Sequence, residues 1–265
     1  MPDKNHPYDK LSGKVVTPHI KWAIPYCQGR TRALVIAPVL GQRETVELAQ
    51  RLSLDYTALM THGYHEMYQD RKWLPHAVPV AEVDKIVQKK LKKFYDVILI
   101  GKVSWEILPD YVQAWIKEQV LQGTGLVYVC PYNSRKIDSL FTSQKAADDE
   151  PFITDCVPLK SLPVLQDLDE KEIFGFSLSG KGRVAKINYG EQQWGELHSL
   201  TPAGAYADWS LNYDYYHSLL AKAVLWAARK ESDVGIRDMK NIGGALTMKI
   251  MNGGAQRKQV QFELV

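Results

Sequence analysis

Apolar and polar positions along the chain change period several times, and each change marks an element. Ala33-Leu34-Val35-Ile36-Ala37-Pro38-Val39 is a short continuous apolar run, the pattern of a strand buried on both faces. Arg43 to Leu52 switches to helical spacing, with Val46, Ala49 and Leu52 on one face beside Leu48. Leu54 to Met60 reads as a second strand, followed by a polar, aromatic loop from Thr61 to about Val80. Pro79 precedes a helix over 81–94 whose apolar stripe is Val83, Ile86, Val87, Leu91 and Phe94. Lys85, Lys89, Lys90, Lys92 and Lys93 fall mostly on its other side and read as a solvated face. A third strand follows at Asp96–Gly101. A helix over Ile107–Gln122 turns Val112, Trp115, Ile116 and Val120 inward, Gly123-Thr124-Gly125 ends it, and a fourth strand runs from Gly125 to Cys130.

Buried strands alternating with amphipathic helices require a parallel sheet with right-handed crossovers. The expected class is α/β: a flavodoxin-like, three-layer parallel sheet with helices on both faces. Sites in such sheets lie beyond the carboxyl ends of the strands, which singles out Pro38–Arg43, Thr61–His65 and Cys130–Ser134. Residues 133–170 are less regular, with a surface loop from Lys145 to Pro151. Residues 172–178 and 182–189 read as strands around Ser179-Gly180-Lys181-Gly182, and Asn212 to Lys230 as a helix burying Leu219, Leu220, Ala223, Val224, Ala227 and Ala228. After Glu231 the pattern alternates in 234–239, 245–251 and 259–264, with a hairpin signal at Asn252-Gly253-Gly254. These are half-exposed antiparallel strands, too few for an independent sandwich. The expected organisation is an arm at 1–30, docked through Ile20, Trp22, Ile24 and Tyr26, an α/β domain at 31–231, and at 232–265 the opening of a β-sandwich that continues beyond Val265.

Composition narrows the class further. Hydrophobic residues are 45% and charged residues 24% of 265, ordinary for a folded chain. Lys+Arg at 33 against Asp+Glu at 30 leaves +3, too little to point to nucleic acid. No apolar run approaches the roughly 20 residues of a membrane helix. Met1-Pro2-Asp3-Lys4-Asn5-His6 lacks an apolar signal core. The chain reads as cytoplasmic as written, with a periplasmic or secreted location after removal of a signal peptide as the alternative. Cys27, Cys130 and Cys156 are odd in number and form no C-x-x-C pair, which argues against a zinc site or a disulfide framework.

Leu126-Val127-Tyr128-Val129 running into Cys130 resembles the nucleophile strand of class I glutamine amidotransferases, as does the order of elements from 32 to 230. Two stretches are more similar to non-classical, ThuA-like (trehalose-utilisation) amidotransferase-like domains. These are Asp96–Gly101 through Gly125-Leu126-Val127, and Gly182–Tyr189 with Tyr213 to Ala228. The resemblance spans about 200 residues and rests on the pattern of elements. It implies a module of a larger bacterial protein, often followed by β-sandwich modules, with Cys130 at the nucleophile position.

Departures from that pattern bear on the chemistry. An amidotransferase places its cysteine on a sharp turn flanked by glycines, where backbone N–H groups hold the oxyanion. Here the surroundings are Val129-Cys130-Pro131-Tyr132-Asn133, and Pro131 has no N–H to donate. Losing one such donor costs on the order of 10²–10³ in rate. The family's His-x-Glu segment is also missing. Glu196-Leu197-His198 has the reverse order, and His217 is the other candidate. Cys130, His198 and Glu196 therefore form the catalytic candidate set, with glutamine hydrolysis expected to be lost.

Other candidates lie at the same edge. His62-Gly63-Tyr64-His65-Glu66 has metal-capable spacing, but a polar loop with Tyr64, Tyr68 and Trp73 is the preferred reading, and no metal or cofactor is expected. Gln42 and Arg43 open a helix that would receive an anion on its N–H groups, but Leu40-Gly41-Gln42 matches no nucleotide motif. Arg43 and Glu44 read as pocket-rim or capping residues. Gln42, Arg43, His62, His65, Glu66, Tyr132 and Asn133 form the ligand-binding set, for a carbohydrate or another small molecule. Trp194, Trp209, Tyr213, Tyr215 and Tyr216 would stack on sugars or fill the core, and Tyr216 is expected in the core with Leu219 and Leu220.

Three functions follow. The first is a catalytically degenerate binding or assembly module whose partners are downstream modules of the same polypeptide, or a second copy in a homo-oligomer. The second is an active hydrolase using Cys130 or the His62/His65 pair. The third is a structural domain linking its neighbours, as a similar domain does in some β-galactosidases.

Overall fold

The computed structural model describes residues 29–38, 41–52, 54–61, 80–129, 134–141, 144–145, 157–162, 164–189, 200–201, 209–231 and 234–252. Within them the expected alternation is present: β1 (Arg32–Pro38), α1 (Gln42–Leu52), β2 (Asp55–Thr61), α2 (Val80–Leu91), β3 (Val97–Ile100), α3 (Asp110–Gln122) and β4 (Gly125–Val129). The chain continues through α4 (Ser134–Phe141), a two-residue β5 (Gln144–Lys145), α5 (Glu170–Ile173), β6 (Phe174–Ser179), β7 (Gly182–Ile187) and α6 (Trp209–Ala227). The hairpin β8 (Val234–Ile242) and β9 (Ala245–Asn252) follows.

Seven strands form one sheet in the order β2-β1-β3-β4-β7-β6-β5, with β2, β1, β3, β4 and β7 mutually parallel. This is the α/β flavodoxin-like fold. Alternate residues of the central strands enter two separate cores. Ala33, Val35, Leu99, Val127 and Ala185 pack with Leu48 of α1 and with Leu219, Leu220, Ala223 and Val224 of α6. Leu34, Ile36, Ile98, Ile100 and Leu126 pack with Val87 of α2, Ile116 of α3 and Ile137 of α4. The continuous apolar runs are thus strands covered on both sides.

The departures from the sequence reading have local causes. β6 runs antiparallel to β7, because only Gly180 and Lys181 separate them and a parallel return needs a long crossover. The helix expected from Ile107 begins at Asp110. Pro109 disfavours helical backbone before it, so Trp105–Ile107 closes as a separate 3-10 turn. α2 stops at Leu91, which leaves Phe94 exposed under the Arg32 guanidinium, 4.1 Å from its ring centroid, while Tyr95 is buried instead. The last helix begins at Trp209 and ends at Ala227, against the expected Asn212 and Lys230. In the C-terminal hairpin the turn is Gly243-Gly244, both at positive φ, with the Gly244 N–H donating to Asn241 Oδ1. Of the expected turn at Asn252-Gly253-Gly254, Asn252 ends β9 and the two glycines lie outside the described residues, as do the strand at 259–264 and nearly all of the N-terminal arm.

One carboxylate ties the amino-terminal edge of the sheet together. Asp96 accepts from the Arg32 N–H (2.7 Å), from the Arg32 guanidinium and from Lys230 Nζ (3.2 Å). Its own N–H donates to Arg32 O, and its carbonyl accepts from Gly125 N. β1, β3 and β4 therefore meet the end of α6 here. Arg229, at φ 56, closes that helix, and Lys230 N donates to Leu225 O. Burial alone would raise the Asp96 carboxyl, but its bonds to Arg32 and Lys230 outweigh burial and hold it below the usual carboxylate range. Its folded value lies below its unfolded one, so this stabilisation is complete above the unfolded value and is lost as pH falls through the folded one. In urea denaturation from neutral pH down to about pH 2, the stability gap between wild type and Asp96→Asn is expected to narrow below about pH 4.

Two glycines set how closely the helices approach. A Cβ on Gly125 would overlap the Ala227 carbonyl of α6, and one on Gly182 would overlap the Val120 carbonyl of α3. Gly125→Ala is expected to lower stability by about 2 kcal/mol through overpacking, read as a lower denaturant midpoint. Ala at Gly175, where the nearest atoms are ordinary contacts of Lys186, should be much milder.

Candidate functional site

The parallel strands deliver their carboxyl ends to one edge, and β1 is the switch point: its successor β2 lies on one side and β3 on the other. A crevice beyond β1 and β3 is where doubly wound sheets place ligands. Gly41 leads into α1, and its carbonyl accepts from Thr45 Oγ1 at 3.0 Å. Gln42 and Arg43, predicted as ligand-binding, are exposed at the start of this helix. Glu44 beside them is buried and accepts from the Leu200 N–H (2.7 Å) and the Thr201 hydroxyl (3.4 Å). The helix start thus serves as an anchor for a distant segment, and these bonds of Glu44 are tertiary rather than helix-capping.

Cys130, Tyr132, Asn133, His62, His65, Glu66, Glu196 and His198 lie outside the described residues. What brackets them is described. Thr61, buried at the end of β2, precedes the histidine pair; Val129 and Ser134 flank 130–133; Tyr189 and Leu200 flank the segment with Glu196 and His198. Tyr189 is fixed edge-on against Tyr216 of α6, with centroids 5.8 Å apart. Tyr216 is in the core as expected, whereas Tyr215 is exposed. Among the described residues no group of three or more His, Cys, Asp or Glu side chains is arranged to hold a metal. No helix among them is long and apolar enough to cross a membrane.

A polar network that the sequence reading did not single out lies at the carboxyl ends of β3, β4 and β7. After β3, Gly101 N still pairs with Ile36 O, and Val103 N turns back to Gly101 O. Ser104 Oγ donates to Glu106 Oε2 (2.7 Å), and Lys136 of α4 pairs with Glu106 Oε1 (2.9 Å). Trp105 is buried edge-on to Phe141 and docks α4 from below. Two residues along α4, Asp138 accepts from the Tyr128 hydroxyl of β4 and pairs with Lys186 of β7 at 2.7 Å. Tyr128 and Lys186 are register partners across β4 and β7. Polar side chains on such buried strands require partners, and Asp138 supplies both.

Two members of this network have displaced proton affinities. Burial, reinforced by Asp138, raises the Tyr128 phenol well above its ordinary value. For Glu106 burial pushes upward, but the Ser104 hydroxyl and the Lys136 ammonium outweigh it and set the carboxyl at about 2. Tyr128 therefore stays protonated and Glu106 stays ionised near pH 7, the opposite of the tuning that general acid–base catalysis needs. The network ties α4 to the ends of β4 and β7.

No family model matches the chain, and no curated protein is significantly similar to it.

Asp138→Leu strands the buried Tyr128 hydroxyl and is expected to cost about 2 kcal/mol, against about 1 kcal/mol for Tyr128→Phe. The double variant should cost less than Asp138→Leu alone, because Tyr128→Phe removes the hydroxyl that Asp138→Leu strands. Chemical denaturation of all three gives the comparison.

Proposed function

We propose that this chain carries a catalytically degenerate class I glutamine amidotransferase-like domain, of the ThuA-like kind. It acts as a binding or assembly module of a larger bacterial protein, one that handles carbohydrate. The observation that carries the reading is Cys130-Pro131 following directly on Val129, the last residue of β4. The nucleophile position of the flavodoxin-like sheet is occupied by a cysteine, but the next residue has no N–H for an oxyanion. The carboxyl edge supports the same reading. Tyr128 and Glu106 have proton affinities displaced from neutrality, and the Glu44 carboxylate is committed to Leu200 and Thr201.

Gln42 and Arg43 are exposed at the start of α1, beside the switch point. A polyhydroxylated ligand suits hydrogen-bonding side chains of this kind better than a nucleotide, whose glycine-rich phosphate loop has no counterpart at Leu40-Gly41-Gln42.

Purified protein incubated with glutamine is expected to release no ammonia above buffer. Iodoacetamide should label Cys130 with the pH profile of an ordinary thiol, half-maximal near about 8.5. Ammonia release, or a Cys130 thiol titrating below about 7, would overturn the reading in favour of an active cysteine hydrolase.

A further inference from the structure

The sheet ends on one side at β2, and among the described residues no strand pairs with its outer edge. The direction of its backbone groups follows from one bond: Asp55 N donates to Thr31 O, toward β1. Thr57, Leu59 and Thr61 therefore also turn their N–H and C=O inward, and Tyr56, Ala58 and Met60 turn theirs out. Tyr56 is 37% exposed on this edge.

α2 reaches across to the same edge. Lys90 Nζ donates to Ala58 O at 2.6 Å, and Lys93 Nζ to Thr57 Oγ1 at 3.3 Å. The lysine is held at its root, since the Tyr95 hydroxyl donates to the Lys90 carbonyl at 2.8 Å. Burial, then the neighbouring Lys93 charge, lowers the Lys90 pKa, as befits an ammonium drawn out of water onto a backbone oxygen. Two of the lysines read from sequence as solvated helix face thus have a defined seat on β2.

The outward residues are symmetric about Ala58. A second β2 laid antiparallel across a two-fold axis would put Ala58 opposite Ala58 and Tyr56 opposite Met60. That register gives three hydrogen-bonded pairs with apolar side chains on every outward residue, so the edge is complementary to itself. Its central acceptor is the oxygen that Lys90 occupies. Two Lys90 ammonium groups, one from each copy, would also meet beside the axis and repel.

We propose that Lys90 is a guard residue that keeps the outer edge of β2 from pairing with a second copy of this chain. Edge lysines are a general means of blunting open strands; here the guard sits at the centre of the self-complementary register.

Sedimentation equilibrium tests this on the full chain. Lys90→Met keeps the aliphatic stem but loses the donor and the charge, and is expected to dimerise at least about tenfold more tightly than wild type. Adding Tyr56→Lys returns a charge to the same edge and should restore wild-type behaviour. Unchanged association of a natively folded Lys90→Met, or association that persists in the double variant, would overturn the proposal. Should Lys90→Met fail to fold, Lys90→Leu, which also lacks both donor and charge, is judged by the same two criteria. Circular dichroism and urea denaturation of each variant separate a guard from a simple packing contact, which would lower stability and leave association unmoved.

Discussion

The structure depends on strands that have no polar face. Leu34, Val35, Ile36, Val97, Ile98, Leu126, Val127 and Val129 are all fully buried, so β1, β3 and β4 need cover on both sides. At about 25 cal/mol per Å² of apolar surface removed from water, this double burial is the main favourable term the fold has. It dictates the helices: α1 and α6 on one face, α2, α3 and α4 on the other. It also dictates where variation is tolerated. With both faces sealed, chemistry and recognition are left to the strand ends, and the two ends of this sheet are built differently.

At the amino-terminal edge a single carboxylate, Asp96, gathers two cations and three strands in a nearly closed setting. At the carboxyl-terminal edge the charges are spread over several half-exposed pairs, Glu106 with Lys136 and Asp138 with Lys186. Exposed pairs contribute little each, whereas the buried Tyr128 hydroxyl bonded to Asp138 contributes more than either. Both edges have the same mechanical outcome, which is to fix the position of a helix end.

Much of this was legible in the sequence because strand burial writes an unbroken apolar run. Ala33–Val39 and Asp96–Gly101 could be read as strands, and the glycine and proline punctuation between them gave the helices. What escaped the pattern was short or partnered at long range. α4 has eight residues and sits in a stretch that reads as irregular, so its roles through Lys136 and Asp138 had no periodic signal. Tyr128 and Lys186 did leave one: polar side chains within buried strands, each needing an acceptor somewhere in the fold. The identity of that acceptor depends on packing between elements 10 and 48 residues apart, which no local window contains. Glu44 is similar, since its partners are 156 and 157 residues away. The candidate catalytic and ligand residues sit almost wholly on connections beyond the strand ends, where pattern carries chemistry but little geometry. Gln42 and Arg43 could be followed into the structure because a helix begins there.

Lys230 donates to the Arg30 carbonyl at 2.8 Å while it pairs with Asp96. The polypeptide thus enters and leaves the α/β unit through the same doorway, on the side of the sheet away from the crevice. Chain entry and exit share one anchor, so a pull on either of these two segments is borne first by one lysine and one aspartate, at the end of the sheet opposite the strands' carboxyl ends.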